Sequence, residues 1–184
     1  LKIVGVITGL DEHDVANQLK EDFLDFALSR NGWSSEQFNT LQTAIQLLLD
    51  LFEDHLDTIL NVSAELITHE DANVRKLLVR VLNVLITIVP TTSISERILP
   101  ILITLANDSD INVRCDVIST LGELTVMIQD SNTIGRITAQ LESFITQSPK
   151  FKTIQQLIKT YGKILPTVPP AFRDGFVLKQ MARL

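Results

Sequence analysis

The 184 residues carry 22 acidic and 16 basic side chains, a formal net charge of −6, and 45% hydrophobic content. That much apolar material excludes a disordered chain, and the six prolines and seven glycines fall between periodic segments instead of forming a linker. A single cysteine, Cys115, excludes an internal disulfide and fits a reducing, cytosolic compartment; the longest apolar runs are about half of the ~20 residues needed to span a bilayer.

Strand-like alternation is absent, so the expected class is all-α. Residues 1–9 read as the tail of a helix. A first hairpin is predicted over about 11–53. Its first helix, about 12–30, turns Val15, Leu19, Phe23 and Phe26 inward behind an Asp11 cap; its second is opened by Ser34 with Gln37 in capping-box spacing. A second hairpin over 54–89 places Leu56, Ile59, Leu60 and Leu66 against Val74, Leu78, Val81, Leu82 and Leu85, and Pro90 ends it.

The third hairpin, 94–129, is expected to start at a Ser93/Glu96 capping box, with Asp108 or Asp110 opening its second helix. A fourth over 133–165 buries Ile137, Leu141 and Phe144 against Ile154, Leu157, Ile158 and Tyr161, and Pro169-Pro170 begin a further first helix over 170–184. The chain opens on Leu1 and closes in a helical run, as expected of a piece of a longer protein.

Repetition organises these elements. Asn73-Val74-Arg75 returns 39 residues later as Asn112-Val113-Arg114, and Thr120-Leu121-Gly122 returns after 40 as Thr160-Tyr161-Gly162. Such a period marks stacked helical pairs, so the predicted architecture is an α-α superhelix, one array of about four hairpins over 1–184. Gly122 and Gly162, at matching helix positions, are expected to permit close helix approach.

Catalytic and ligand-binding chemistry finds little footing. His13 lies in the first hairpin and His55 and His69 are 14 residues apart in the second, without metal-ligand spacing, so no metal or cofactor is expected, and His69 sits at a repeat turn where a structural hydrogen bond suffices. Cys115 follows Arg114, which could lower its thiol pKa, but no histidine base is organised beside it and a packed thiol is the simpler reading. The glycines form no phosphate loop, and the acidic pairs Asp22/Asp25 and Asp54/Asp57 read as solvated faces. Trp33 is expected to seal a gap between helices. The chain is expected not to be an enzyme.

Charge is unevenly distributed. Residues 1–71 hold 14 acidic and 3 basic side chains, residues 72–184 hold 8 and 13. A basic stripe of Lys152, Lys159 and Lys163, extended by Arg173, Lys179 and Arg183, is the candidate partner-binding surface. Nucleic acid is not expected there, because the chain is acidic overall and its aromatics sit at core spacing.

Pro100, followed by Asp108, Val113 and Arg114, resembles the signature of a HEAT repeat; Val74 and Arg75 repeat half of it, while the fourth hairpin has Ala139, Gln147, Lys152 and Thr153 at the four positions. The resemblance implies that Pro100 bends the first helix, that Asp108 and Arg114 bridge turns of neighbouring repeats, and that Val113 packs beneath. The segment Ile158-Lys159-Thr160-Tyr161-Gly162-Lys163, then Pro166, Pro169 and Ala171 to Val177, is similar to the C-terminal HEAT region of the LisH-domain and HEAT-repeat proteins, the RELCH family, over roughly 97–184.

Membership would imply a protein-interaction scaffold acting as effector of a recycling-endosome Rab GTPase. Its route would be endosome to trans-Golgi network, with an oxysterol-binding protein as partner in sterol transfer and peripheral association with those membranes. A HEAT scaffold of the phosphatase-scaffold or transport-receptor type is the alternative the same repeats allow.

Overall fold

A computed structural model describes residues 12–27, 43, 55–147 and 150–184, and every regular element among them is helical. They fall into two compact units divided after Pro90. The first contains α1 (Glu12–Ala27), α2 (His55–Leu66) and α3 (Ala72–Leu85). Asp71 starts α3 by accepting the Asn73 amide at 2.6 Å, which satisfies a first-turn N–H that the helix itself leaves unpaired. Val74, Leu78, Val81, Leu82 and Leu85 follow at helical spacing and are all buried, as are Ile59, Leu60 and Leu66 of α2, whereas Leu56, in its first turn, is only half-buried. The Asp11 cap, the helix expected after Ser34, Trp33 and the inward side chains assigned to α1 lie outside the described residues.

In the second unit, α4 (Thr91–Ser93), a π-helical turn (Ile94–Ile98) and α5 (Leu99–Leu105) run on without a break. They are followed by α6 (Ile111–Met127), α7 (Ser131–Thr146) and α8 (Phe151–Ile164), then α9 (Pro170–Phe172), a second π-helical turn (Arg173–Val177) and α10 (Leu178–Met181). Carboxylates open two of the helices. Asp110 accepts from Asn112 and Val113 at 2.7 and 3.3 Å, and Asp130 accepts the Thr133 amide at 2.7 Å.

Ser93 is not a cap. Its backbone is helical at φ −64°, ψ −33°, and its side chain makes no capping bond, because the helix already begins at Thr91 directly after Pro90. The wide turn has a consequence at Pro100. Leu99 N–H reaches Ile94 O, five residues back, and continuing that register would require an amide at Pro100 to reach Ser95 O. Arg136 of α7 takes the vacant place, donating from Nη1 to Ser95 O at 3.0 Å. The same succession recurs 79 residues on: Val89-Pro90 and Val168-Pro169 each precede three α-helical residues and five π-helical ones. Lys179 stands where Pro100 stood, so the π turn does not need the proline.

Ile98, Leu102, Val113, Val117, Leu121, Ile137, Leu141, Leu157 and Tyr161 are fully buried. The Tyr161 ring meets Phe176 edge-on at 6.1 Å, and burial raises its phenol pKa well above the ordinary value. Helix α8 lies against α6 one repeat back, and the approach is tight at Gly122, where an added Cβ would fall 2.1 Å from the Thr160 methyl.

Gly162 differs from its counterpart: nothing lies within 4 Å of where its Cβ would be. Ile158, assigned to the core by its spacing, is 46% exposed, whereas Ile118 one repeat earlier is fully buried. The reason is common to both: α6 has α8 against this face, and α8 has no described helix there.

Gly122→Ala is therefore expected to destabilise the protein by about 1–3 kcal/mol through overpacking, and Thr160→Ser in the same chain to recover much of the loss. Gly162→Ala should instead stabilise by about 1 kcal/mol, the helix-propensity difference. Urea denaturation of the three variants checks both signs.

Candidate functional site

The two turns that carry Asn-Val-Arg are closed by the same set of hydrogen bonds. Arg75 Nη1 donates to the carbonyls of His69 and Glu70 at 2.6 and 2.9 Å, and Arg114 Nη1 donates to those of Asp108 and Ser109. Each guanidinium thus spans two carbonyls of the turn preceding its own helix, while Val74 and Val113 are buried beneath. A charge-assisted bond of this kind contributes about 1.5–3 kcal/mol.

Asp108 Oδ1 accepts the Asp110 amide at 2.7 Å, and His69 Nδ1 accepts the Asp71 amide at 3.1 Å. The imidazole does the work of the carboxylate, which requires its proton on Nε2. In the fourth hairpin a hydroxyl serves: Thr153 Oγ1 accepts from Lys150 N at 3.2 Å and donates to Lys150 O at 2.7 Å.

The basic stripe resolves into engaged and open members. Lys152 donates to Asn112 Oδ1, and Lys163 donates to Glu123 Oε1 at 2.6 Å. Arg173 forks onto Asp174 at 2.7 and 3.2 Å, which holds that carboxyl below its usual range. Arg183 pairs with Glu142. Lys159 and Lys179 are exposed and have no hydrogen-bond or ion-pair partner among the described residues. The signal for these bonds was present in the sequence as donors and acceptors one repeat apart: 112 with 152, 123 with 163, 142 with 183.

Cys115 is buried, with Sγ 3.7 Å from Lys152 O, and burial raises its thiol pKa despite the nearby Lys152 and Arg114 charges. A protonated, packed thiol is a poor nucleophile. Among the described residues no three His, Cys, Asp or Glu side chains could hold a metal ion, and no helix is long and apolar enough to cross a membrane. The side chains of His13 and His55 lie outside the described residues.

Beside Arg114, whose Nη2 is buried without a hydrogen-bond partner, is a cavity of 160 Å³ lined by Phe144, Gln147 and Lys150 among others; it is smaller than the roughly 300 Å³ at which cofactor sites begin. A larger open groove of 580 Å³ runs past Val126, Ile134, Pro169, Phe172 and Phe176.

Comparison with known proteins gives this surface a context. The family profile of the RAB11-binding protein RELCH C-terminal domain matches residues 1–184. A RAB11-binding protein RELCH homolog of Danio rerio is 33% identical over 122 residues, and the RAB11-binding proteins RELCH of Mus musculus and Homo sapiens are 31% and 28% identical over the same length. Each alignment covers 64% of this chain and 10% of the relative, so the chain matches about a tenth of their length.

Two measurements test the turn chemistry. Arg114→Ala is expected to cost about 2 kcal/mol in urea denaturation, with Arg114→Lys recovering only part, because the shorter lysine carries its donors on one strongly hydrated ammonium that is costlier to bring to the two carbonyls Arg114 Nη1 serves. Hydrogen bonds from Thr133 hold the Asp130 carboxyl below its usual range, and the Asp110 carboxyl also lies low, with burial opposing the hydrogen bonds from Asn112 and Val113. A depressed folded-state pKa contributes stability that is full above the ordinary carboxylate value of about 4 and is lost as pH falls through the folded value. The melting temperature should therefore drop below about pH 4. Asp130→Asn, which keeps the cap and removes the titration, should flatten that acid limb.

Proposed function

The chain belongs to the RELCH C-terminal domain family, and on that premise we propose that it is a non-enzymatic binding scaffold for a Rab GTPase of the RAB11 type. The family match over all 184 residues carries the reading, together with the name RAB11-binding protein borne by the relatives. Stacked hairpins supply an extended surface without a dedicated pocket, which is what a scaffold needs. On this reading the repeats form one continuous superhelix and are one arm of a bridge. They hold a recycling-endosome Rab while other segments reach the trans-Golgi network and an oxysterol-binding protein in sterol transfer.

Of the stripe Lys152, Lys159, Lys163, Arg173 and Lys179, we assign Lys159 and Lys179 to the partner; that the other three already answer an acceptor within the chain supports this reading. Exposed cations of this kind act mainly on encounter rate and specificity and are screened by salt.

A pull-down of purified chain with RAB11 loaded with a non-hydrolysable GTP analogue or with GDP tests the proposal. Capture should be selective for the GTP form and fall about tenfold with Lys159→Glu/Lys179→Glu. Lys152→Gln/Lys163→Gln should lose much less. Failure of a folded chain to capture either form, or indifference to the Lys159/Lys179 reversal, would contradict the assignment.

A further inference from the structure

Two neighbouring turns of the second unit are built with opposite charge. In the turn before α6 two carboxylates accept backbone amides, Asp108 that of Asp110 and Asp110 those of Asn112 and Val113. One repeat on, Gln147 stands where Asp108 stood, and the N-cap of α8 is Lys150 where that of α6 is Asp110. A lysine side chain has no acceptor, so it cannot cap the first amides, and it sets a like charge at the positive end of the helix dipole.

The same substitutions border a cavity. The 160 Å³ space between the two turns is lined by buried Phe144 and Thr153 and by exposed Asn107, Gln147 and Lys150, with Arg114 as a further wall. Arg114 Nη1 is committed to the carbonyls of Asp108 and Ser109, but its Nη2 is buried and has no hydrogen-bond partner. Buried donors are nearly always satisfied, and an orphan among them marks the place of an ion or solvent. No aspartate or glutamate is among the described lining residues, so the two charged side chains there, Arg114 and Lys150, are both positive.

We propose that this cavity binds a single phosphoryl group. Its volume suits one tetrahedral oxyanion and is below the roughly 300 Å³ at which drug-sized ligand sites begin. A phosphate monoester carries a charge of about −1.5 to −2 near neutral pH, which answers both cations, whereas a carboxylate would leave one of them unmatched.

The donors fit as well. A guanidinium holds its donors in a fixed fork, so Arg114 can offer Nη2 to the oxyanion while Nη1 keeps the turn closed. Lys150 brings three donors from the mouth. Helix α8, 14 residues long, adds the positive end of its dipole and first-turn amides that no side chain of its N-cap satisfies. Two local rules are broken at one place, an acceptor at the N-cap and an acceptor for every buried donor, and one oxyanion repairs both. The inference goes beyond the GTPase reading and does not rest on it.

Isothermal titration calorimetry of the whole chain with inorganic phosphate, at an ionic strength held constant with chloride, tests the site. Phosphate should bind saturably. Lys150→Gln removes a cation, and Gln147→Glu returns a carboxylate to the place of Asp108; each should weaken binding about tenfold or more without lowering the melting temperature. Lys159→Gln, outside the cavity lining, should leave the affinity within about twofold.

An end-blocked alanine peptide with one central phosphoserine distinguishes the sources of the group. Displacement of phosphate by this peptide gives the site to phosphorylated side chains, and phosphate binding that the peptide does not displace gives it to the free ion; both uphold the cavity as a phosphoryl site. Absence of saturable binding overturns the proposal, as does an affinity unchanged in Lys150→Gln or in Gln147→Glu. A loss in Lys159→Gln as large as that in Lys150→Gln would assign the effect to a diffuse positive field, and equal affinity for acetate would make this a carboxylate site; either result also overturns it.

Discussion

A guanidinium laid across two turn carbonyls sets the geometry from which the described hairpins are built. Where a helix ends, its last carbonyls have no amide to accept from, and where the next begins, its first amides have no carbonyl. Backbone amides of the turn, His69 N to Leu66 O and Asp108 N to Leu105 O, answer the first deficit, Asp71 and Asp110 answer the second, and Arg75 and Arg114 tie down the turn carbonyls between them. These bonds hold the reversal within a short turn. The apolar rows that follow, Val74 to Leu85 and Val113 to Leu124, then enter their helices in the same phase.

Phase is what lets one repeat recognise the next. In residues 91–184 the bonds between neighbouring repeats join residues 37 to 41 apart: Gln156 to Ser119, Lys163 to Glu123, Arg136 to Ser95 and Arg183 to Glu142. Most are exposed ion pairs or single hydrogen bonds, so individually they add little beside the burial of Ile118, Leu121 and Leu157. They fix register instead. They also divide the basic side chains into those that answer a neighbour within the chain and those, Lys159 and Lys179, that answer none among the described residues.

Much of the fold was legible because burial and capping follow local rules. The 39-residue echo located both turns, and the predicted cores of α3 and α7 hold the buried residues that spacing assigned them. Three readings needed the coordinates. Ser93 has the composition of a cap, yet Pro90 had already started the helix. Ile158 has core spacing, yet a helix face is buried only if another element covers it, and periodicity does not supply the cover.

His69 replaces the aspartate of the signature without loss of the hydrogen bond, an equivalence of acceptor geometry that residue identity conceals. Of the proposed surface, the lysines were visible as a stripe, but their separation into engaged and open members depends on side-chain partners one repeat away.

The proposed scaffold role rests on membership in the RELCH C-terminal domain family and on the repeat geometry together. That geometry depends on residues 91–184 behaving as stacked repeats coupled through α6 and α8. Native-state hydrogen exchange followed by NMR tests that coupling most directly. The slowest amides of the two helices should exchange through one shared opening, with equal free energies that fall together when Leu121 is truncated to alanine. Exchange of α8 at a much lower free energy than α6, unchanged by that substitution, would contradict the account.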